Sequence, residues 1–133
     1  MRRYFVDSWF FIALTDRRDS HFTAALALNR TLSASALVTT DAVLTELLAF
    51  YADDSELRRV AAASTRRVLH EYIVVPSDRL LFLRALDRYE HRPDKEYSLV
   101  DCMSMVVMGD LGITHVLTND HHFQQEGFTL VNQ

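Results

Sequence analysis

Short β-branched and aromatic runs alternate with longer stretches of helical periodicity along the chain, and this alternation restricts it to the α/β class with a mainly parallel sheet. Five runs read as strands: Tyr4–Val6, Leu37–Thr39, Ile73–Val75, His115–Leu117 and Phe128–Val131. Each is short and rich in residues that suit a buried strand. A first helix follows Asp7. Ser20 is placed to cap a helix running to about Ser33, and Thr40 or Asp41 one that carries Val43, Leu44, Leu47, Leu48 and Tyr51 on one face. A further helix starts near Ser55 and ends near Tyr72. The next runs from Ser77 or Asp78 to Arg92, where Pro93 stops it, and Ser98 opens the last long helix, which Gly109 or Gly112 closes.

At 133 residues the chain has the usual size of one domain, and residues 1–133 are read as such. With three Gly, two Pro and no low-complexity segment, nothing resembles a linker. The single cysteine, Cys102, has no partner for an internal disulfide and points to the cytoplasm. Residues 1–14 imitate a signal peptide, but Asp7 interrupts the apolar stretch and no small-residue cleavage site follows, so secretion is not expected. No apolar run approaches the roughly 18 residues that span a bilayer, which excludes a membrane helix. The net charge of −4 argues against a broadly basic nucleic-acid-binding surface. Yet all but one of the 14 basic residues are Arg, which forks onto phosphate oxygens as Lys does not.

In an open parallel sheet, ligands bind beyond the carboxyl ends of the strands, where the strand order reverses. Four acids fall near that rim. Asp7 ends the first strand run and reads equally as a helix N-cap or as a site carboxylate. Glu46 stands at the edge of the apolar arc formed by Val43, Leu47 and Phe50, where a solvated glutamate is the plainer reading. Asp101 lies in the first turn of a helix apolar almost all round. There it forms a capping box with Ser98 or serves as a ligand, the ionised side chain being costly without a partner. Asp120 follows Thr118-Asn119 after a strand, where turn chemistry and a site role compete.

Hard cations such as Mg²⁺ or Mn²⁺ select oxygen ligands, and four carboxylates suit one or two such ions. The histidines lack a zinc spacing, so His121 and His122 read as exposed loop residues with substrate contact as the alternative. Arg17 and Arg18 follow the first helix near the expected rim and are candidates for phosphate contact. Arg58, Arg59, Arg66 and Arg67 decorate one helix, where a solvated face or a protein interface competes with RNA binding.

The blocks YFVDSWFFIALTDRRDSHFTAA, TTDAVLTELLAF, YSLVDCMSMVV and THVLTNDHHFQQEGF, in this order, resemble the PIN (PilT N-terminal) domain family, especially VapC-type toxin ribonucleases of toxin–antitoxin pairs. The family's acidic positions fall on Asp7, Glu46, Asp101 and Asp120, and its polar residue before the last acid on Thr118. Met105 departs from the pattern, many relatives carrying an aromatic there; this touches packing more than chemistry. The resemblance implies a three-layer α/β/α sandwich around a five-stranded sheet, metal-dependent hydrolysis of RNA by the four acids with Mg²⁺ or Mn²⁺, a cognate antitoxin and homodimerisation. Ser8, Ser98, Thr118, Arg17 and Arg18 are the candidate supporting or substrate-contacting residues.

Two rivals stand beside this reading. A Mg²⁺-dependent phosphatase or phosphoacceptor domain would use Asp7 as a nucleophile, but Trp9 stands where a haloacid-dehalogenase-like pattern wants a second Asp. The sole lysine, Lys95, is not at a strand end. A PIN-like binding module that had lost hydrolysis would not need four intact acids.

Overall fold

All five strands pair in parallel, in the order β3-β2-β1-β4-β5, within a computed structural model that describes residues 1–133. The strands are β1 (Tyr4–Val6), β2 (Leu37–Thr40), β3 (Ile73–Val75), β4 (His115–Leu117) and β5 (Thr129–Val131). The helices between them are α1 (Ser8–Thr15), α2 (Phe22–Asn29), α3 (Asp41–Phe50), α4 (Ser55–Glu71), α5 (Arg79–Glu90), α6 (Leu99–Leu111) and α7 (His121–Gln125). Because parallel crossovers are right-handed, the connections β1–β2 and β2–β3 put α1 to α4 on one face. Those from β3 to β4 and β4 to β5 put α5 to α7 on the other. The result is the three-layer α/β/α sandwich. Phe5, Val6, Val38, Val116 and Leu117 are wholly buried between the layers, within one apolar cluster of 26 residues. Cys102 is free and buried there, behaving as a small apolar residue.

Several local features differ from the sequence reading. Ser20 does not cap α2: the Asp19 carboxylate accepts the His21 N–H at 2.8 Å, and the helix begins at Phe22 and ends at Asn29. The stretch to β2 tightens into a 3-10 turn over Ala34–Ala36. Thr40 rather than Asp41 caps α3, and Asp78 rather than Ser77 caps α5, which ends at Glu90. Gly112, at φ 67°, closes α6, while Gly109 lies inside it. Phe128 is not in β5, because its N–H is drawn to the Phe123 carbonyl at 3.1 Å as α7 ends. The helix α7 itself occupies what reads in the sequence as a turn after Asp120. A single capped turn of helix is too short to show periodicity.

Candidate active site

The strand order reverses between β1 and β4, and the crevice beyond their carboxyl ends is where the acids gather. Asp7 sits in it directly. Its N–H extends the β1–β4 ladder to the Leu117 carbonyl at 3.2 Å, and on the other side Thr39 donates its hydroxyl to the Val6 carbonyl at 2.8 Å. Asp7 occupies the N-cap position of α1, but its side chain makes no cap bond. It turns instead to Thr118, whose hydroxyl donates to Asp7 Oδ2 at 2.7 Å across 111 residues of sequence. The N-cap reading of the Asp7 side chain is thereby corrected: the tertiary partner replaces the local one.

The same Thr118 oxygen accepts the Asp120 N–H at 3.1 Å, so one hydroxyl links two of the acids. Asp120 caps α7, accepting the His122 N–H at 2.9 Å. Asp101 forms the full capping box with Ser98: its Oδ2 accepts the Ser98 N–H at 3.1 Å, and Ser98 Oγ accepts the Asp101 N–H at 3.0 Å. Oδ1 is left uncommitted. Glu46, half-buried on α3, faces the Ser8 side chain.

The electrostatics show the four acids as one group. Burial raises the Asp7 carboxyl to about 7 against the opposing hydrogen bond from Thr118, with the charges of Asp101 and Glu46 adding to the rise. Burial also raises Glu46, opposed by Ser8 and reinforced by Asp101 and Asp120. Asp101 is raised by burial in the first place, against its bonds to Ser98, and by Asp120. No arginine or lysine acts on any of these three. The N-termini of α1 and α6 open onto the rim, and their dipoles favour negative charge without neutralising it.

His122 is the residue that its place in the sequence undervalues. It is only 29% exposed, and its Nδ1 lies 3.2 Å from Asp120 Oδ1 and 3.7 Å from Asp101 Oδ2. That nitrogen is enclosed and makes no hydrogen bond. The one available signal is its spacing two residues after Asp120, which lets a single helical turn fold it back. His121, by contrast, is exposed as read. Asp101, Asp120 and His122 each offer a donor atom within 4.8 Å of the others. This oxygen-rich set with an orphaned nitrogen fits a divalent cation such as Mg²⁺ or Mn²⁺.

The arginines are placed elsewhere. Arg18 folds onto Asp16 at 3.1 Å, and Arg17 lines a groove of about 760 Å³ with Arg59 and Arg67. The groove runs between α1, α2 and α4, with Phe11, Leu14, Phe22 and Leu26 in its wall. Of the aromatic residues after Asp7, Phe10 and Phe11 are buried and Trp9 is partly exposed. No helix is long and apolar enough to cross a membrane.

A family model described as the PIN domain matches residues 4–128. Among solved structures, the chain is similar to VapC20 of Mycobacterium tuberculosis, a sarcin-ricin loop cleaving toxin. The TM-score is 0.87 at 26% identity, over 98% of this chain and 99% of that one. It is also similar to DNA-bound VapBC from Salmonella typhimurium, with a TM-score of 0.66 at 19% identity, over 98% of both chains. FitAcB from Neisseria gonorrhoeae superposes with a TM-score of 0.72 at 13% identity, over 97% of this chain and 96% of that one. Comparison with curated protein sequences gives no match.

Proposed function

The chain belongs to the PIN domain family, and from that premise we propose that it is an endoribonuclease dependent on Mg²⁺ or Mn²⁺, the toxin of a toxin–antitoxin pair. The observation that carries this reading is the convergence of four carboxylates on one crevice, with no arginine or lysine among the groups that act on Asp7, Glu46 and Asp101. Asp7, Glu46, Asp101 and Asp120 would hold the metal. When bound, such an ion polarises the scissile phosphate and lowers the pKa of water enough to yield a nucleophile near neutral pH.

The chain's own residues prepare for this. Thr118 fixes the rotation of the Asp7 carboxylate and the backbone of Asp120 together. The Ser98 N–H holds Asp101 Oδ2, the oxygen that also faces His122, and the Ser8 side chain favours the charged form of Glu46. Burial raises the Asp7 carboxyl by disfavouring its charge, and a bound cation would supply the counter-charge that water does not.

The whole chain serves as one domain in this reading, working in the cytoplasm. An amphipathic, acidic segment of a cognate antitoxin would suit the groove between α1, α2 and α4, where Arg17, Arg59 and Arg67 stand beside apolar walls. Exposed Leu80 and Leu83 on α5 support a homodimer. The similarity to a toxin that cleaves the sarcin-ricin loop favours structured RNA as substrate.

The test is cleavage of RNA by the purified protein. Activity is expected with Mg²⁺ or Mn²⁺, none in excess chelator, and none for Asp7→Asn. Expression in cells should arrest growth, and Asp101→Asn should relieve the arrest. Full activity in chelator would overturn the mechanism.

A further inference from the structure

His122 lies outside the four-carboxylate scheme, yet its ring is as closely engaged with the crevice as any acid. Resting on the metal-dependent reading above, we propose that His122 Nδ1 is a direct ligand of the bound ion alongside Asp101 and Asp120. The site is then a mixed nitrogen and oxygen one that prefers Mn²⁺ to Mg²⁺.

The argument starts from an unsatisfied atom. Nδ1 is enclosed, faces two carboxylate oxygens at 3.2 and 3.7 Å, and forms a hydrogen bond with neither. The Asp120 and Asp101 oxygens that face Nδ1 each accept one backbone N–H, from His122 and Ser98 respectively, and each keeps a lone pair for a further partner. A cation placed among the three atoms would serve as that shared partner. The spacing suits one: ligand atoms about 2.1 Å from an octahedral ion lie about 3 Å apart when adjacent. At 3.2 Å the Asp120 oxygen is already close to that distance from Nδ1, and the Asp101 oxygen, at 3.7 Å, lies about 0.7 Å beyond it.

The ring is also held in place. Tyr97, itself buried, meets His122 edge-on with centroids 5.3 Å apart. The turn in which Asp120 Oδ1 accepts the His122 N–H ties the two donors into one unit. The end of α7 is anchored to α5 through Glu126, which receives Arg88 at 2.6 Å and Arg92 at 3.3 Å. Imidazole is a softer donor than carboxylate and binds transition metals in preference to Mg²⁺, whose demand is for oxygen and water.

The experiment uses the full-length protein loaded with Mn²⁺ and pulsed electron paramagnetic resonance, which reads coupling to a directly bound nitrogen. Wild type should show that coupling, it should change on isotopic labelling of histidine nitrogen, and it should vanish in His122→Phe, which keeps a ring against Tyr97. Calorimetric titration of His122→Phe and His122→Gln should show Mn²⁺ affinity falling about tenfold or more, as loss of even an outer-shell partner does, with Mg²⁺ affinity little changed. Mn²⁺ bound without nitrogen coupling overturns the ligand role of His122 while leaving the metal-dependent reading intact. Equal losses of Mn²⁺ and Mg²⁺ affinity overturn the preference. A wild type that binds neither ion overturns both readings.

Discussion

Asp101 and Glu126 are equally sheltered, each side chain 12% exposed, yet they keep opposite company. Glu126 receives two guanidinium groups, Arg88 and Arg92, and closes α7 onto α5. Asp101 has no guanidinium, and its nearest charged neighbours include Asp120. One carboxylate is neutralised by guanidinium groups within the fold, and the other belongs to a group on which no arginine or lysine acts and which has only His122 as a basic neighbour. The difference distinguishes a structural ion cluster from the site we propose to hold a cation, because burying carboxylates without a strong counter-charge is costly unless a ligand supplies one.

The sharpest way to break this comparison is to remove charge on the unpaired side. The Asp7 carboxyl moves from its ordinary 3.8 to about 7 in the folded protein. The folded state therefore holds a proton that the unfolded state has lost between those values. Stability from this group is full below its unfolded pKa and is lost as pH rises to about 7. In chelator, Asp7→Asn should thus be more stable than wild type at pH 8, by about 4 kcal/mol at most, and the advantage should shrink toward pH 4. Urea denaturation followed by Trp9 fluorescence reads both. A mutant no more stable than wild type at pH 8 would mean that the fold already compensates Asp7.

On the paired side the sign reverses. Glu126→Gln leaves Arg88 and Arg92 without their counter-charge and should cost about 1–3 kcal/mol, with little change between pH 6 and 8. Unchanged stability would dissolve the contrast. The smallest effect belongs to an exposed pair: Arg84 bonds Asp110 at 2.6 and 2.8 Å between α5 and α6, with both side chains about half in water. Arg84→Ala should lower the melting temperature slightly at low salt and not at all in concentrated salt. A large, salt-independent loss would show that good geometry outweighs solvation here and would weaken the distinction drawn from burial.

The same contrast separates what was readable in advance from what was not. Long elements were legible because their apolar periodicity runs over several turns. Thus α4 reads as a helix from Ser55 to about Tyr72 and is observed over Ser55–Glu71. The capping box at Ser98 and Asp101 was equally readable, since both partners lie within one turn. The short α7 was not, and neither was the withdrawal of Phe128 from β5. Arg17 and Arg18 read as rim residues only because nothing local says which way a turn after α1 points.

By itself, the sequence determined the layered α/β plan, the parallel strands and the identity of four acids worth attention, since periodicity, composition and strand-end position are properties of neighbours along the chain. Tertiary structure alone decided that Thr118 would turn Asp7 away from its own helix and that no arginine would neutralise the carboxylate group. It also decided that one turn of helix would bring His122 Nδ1 against Asp101 and Asp120. Those outcomes depend on which groups meet across the β1–β4 crevice and how much water is excluded there. Burial, charge and hydrogen-bond partnership in such a place are set by residues far apart in sequence, and no local pattern encodes them.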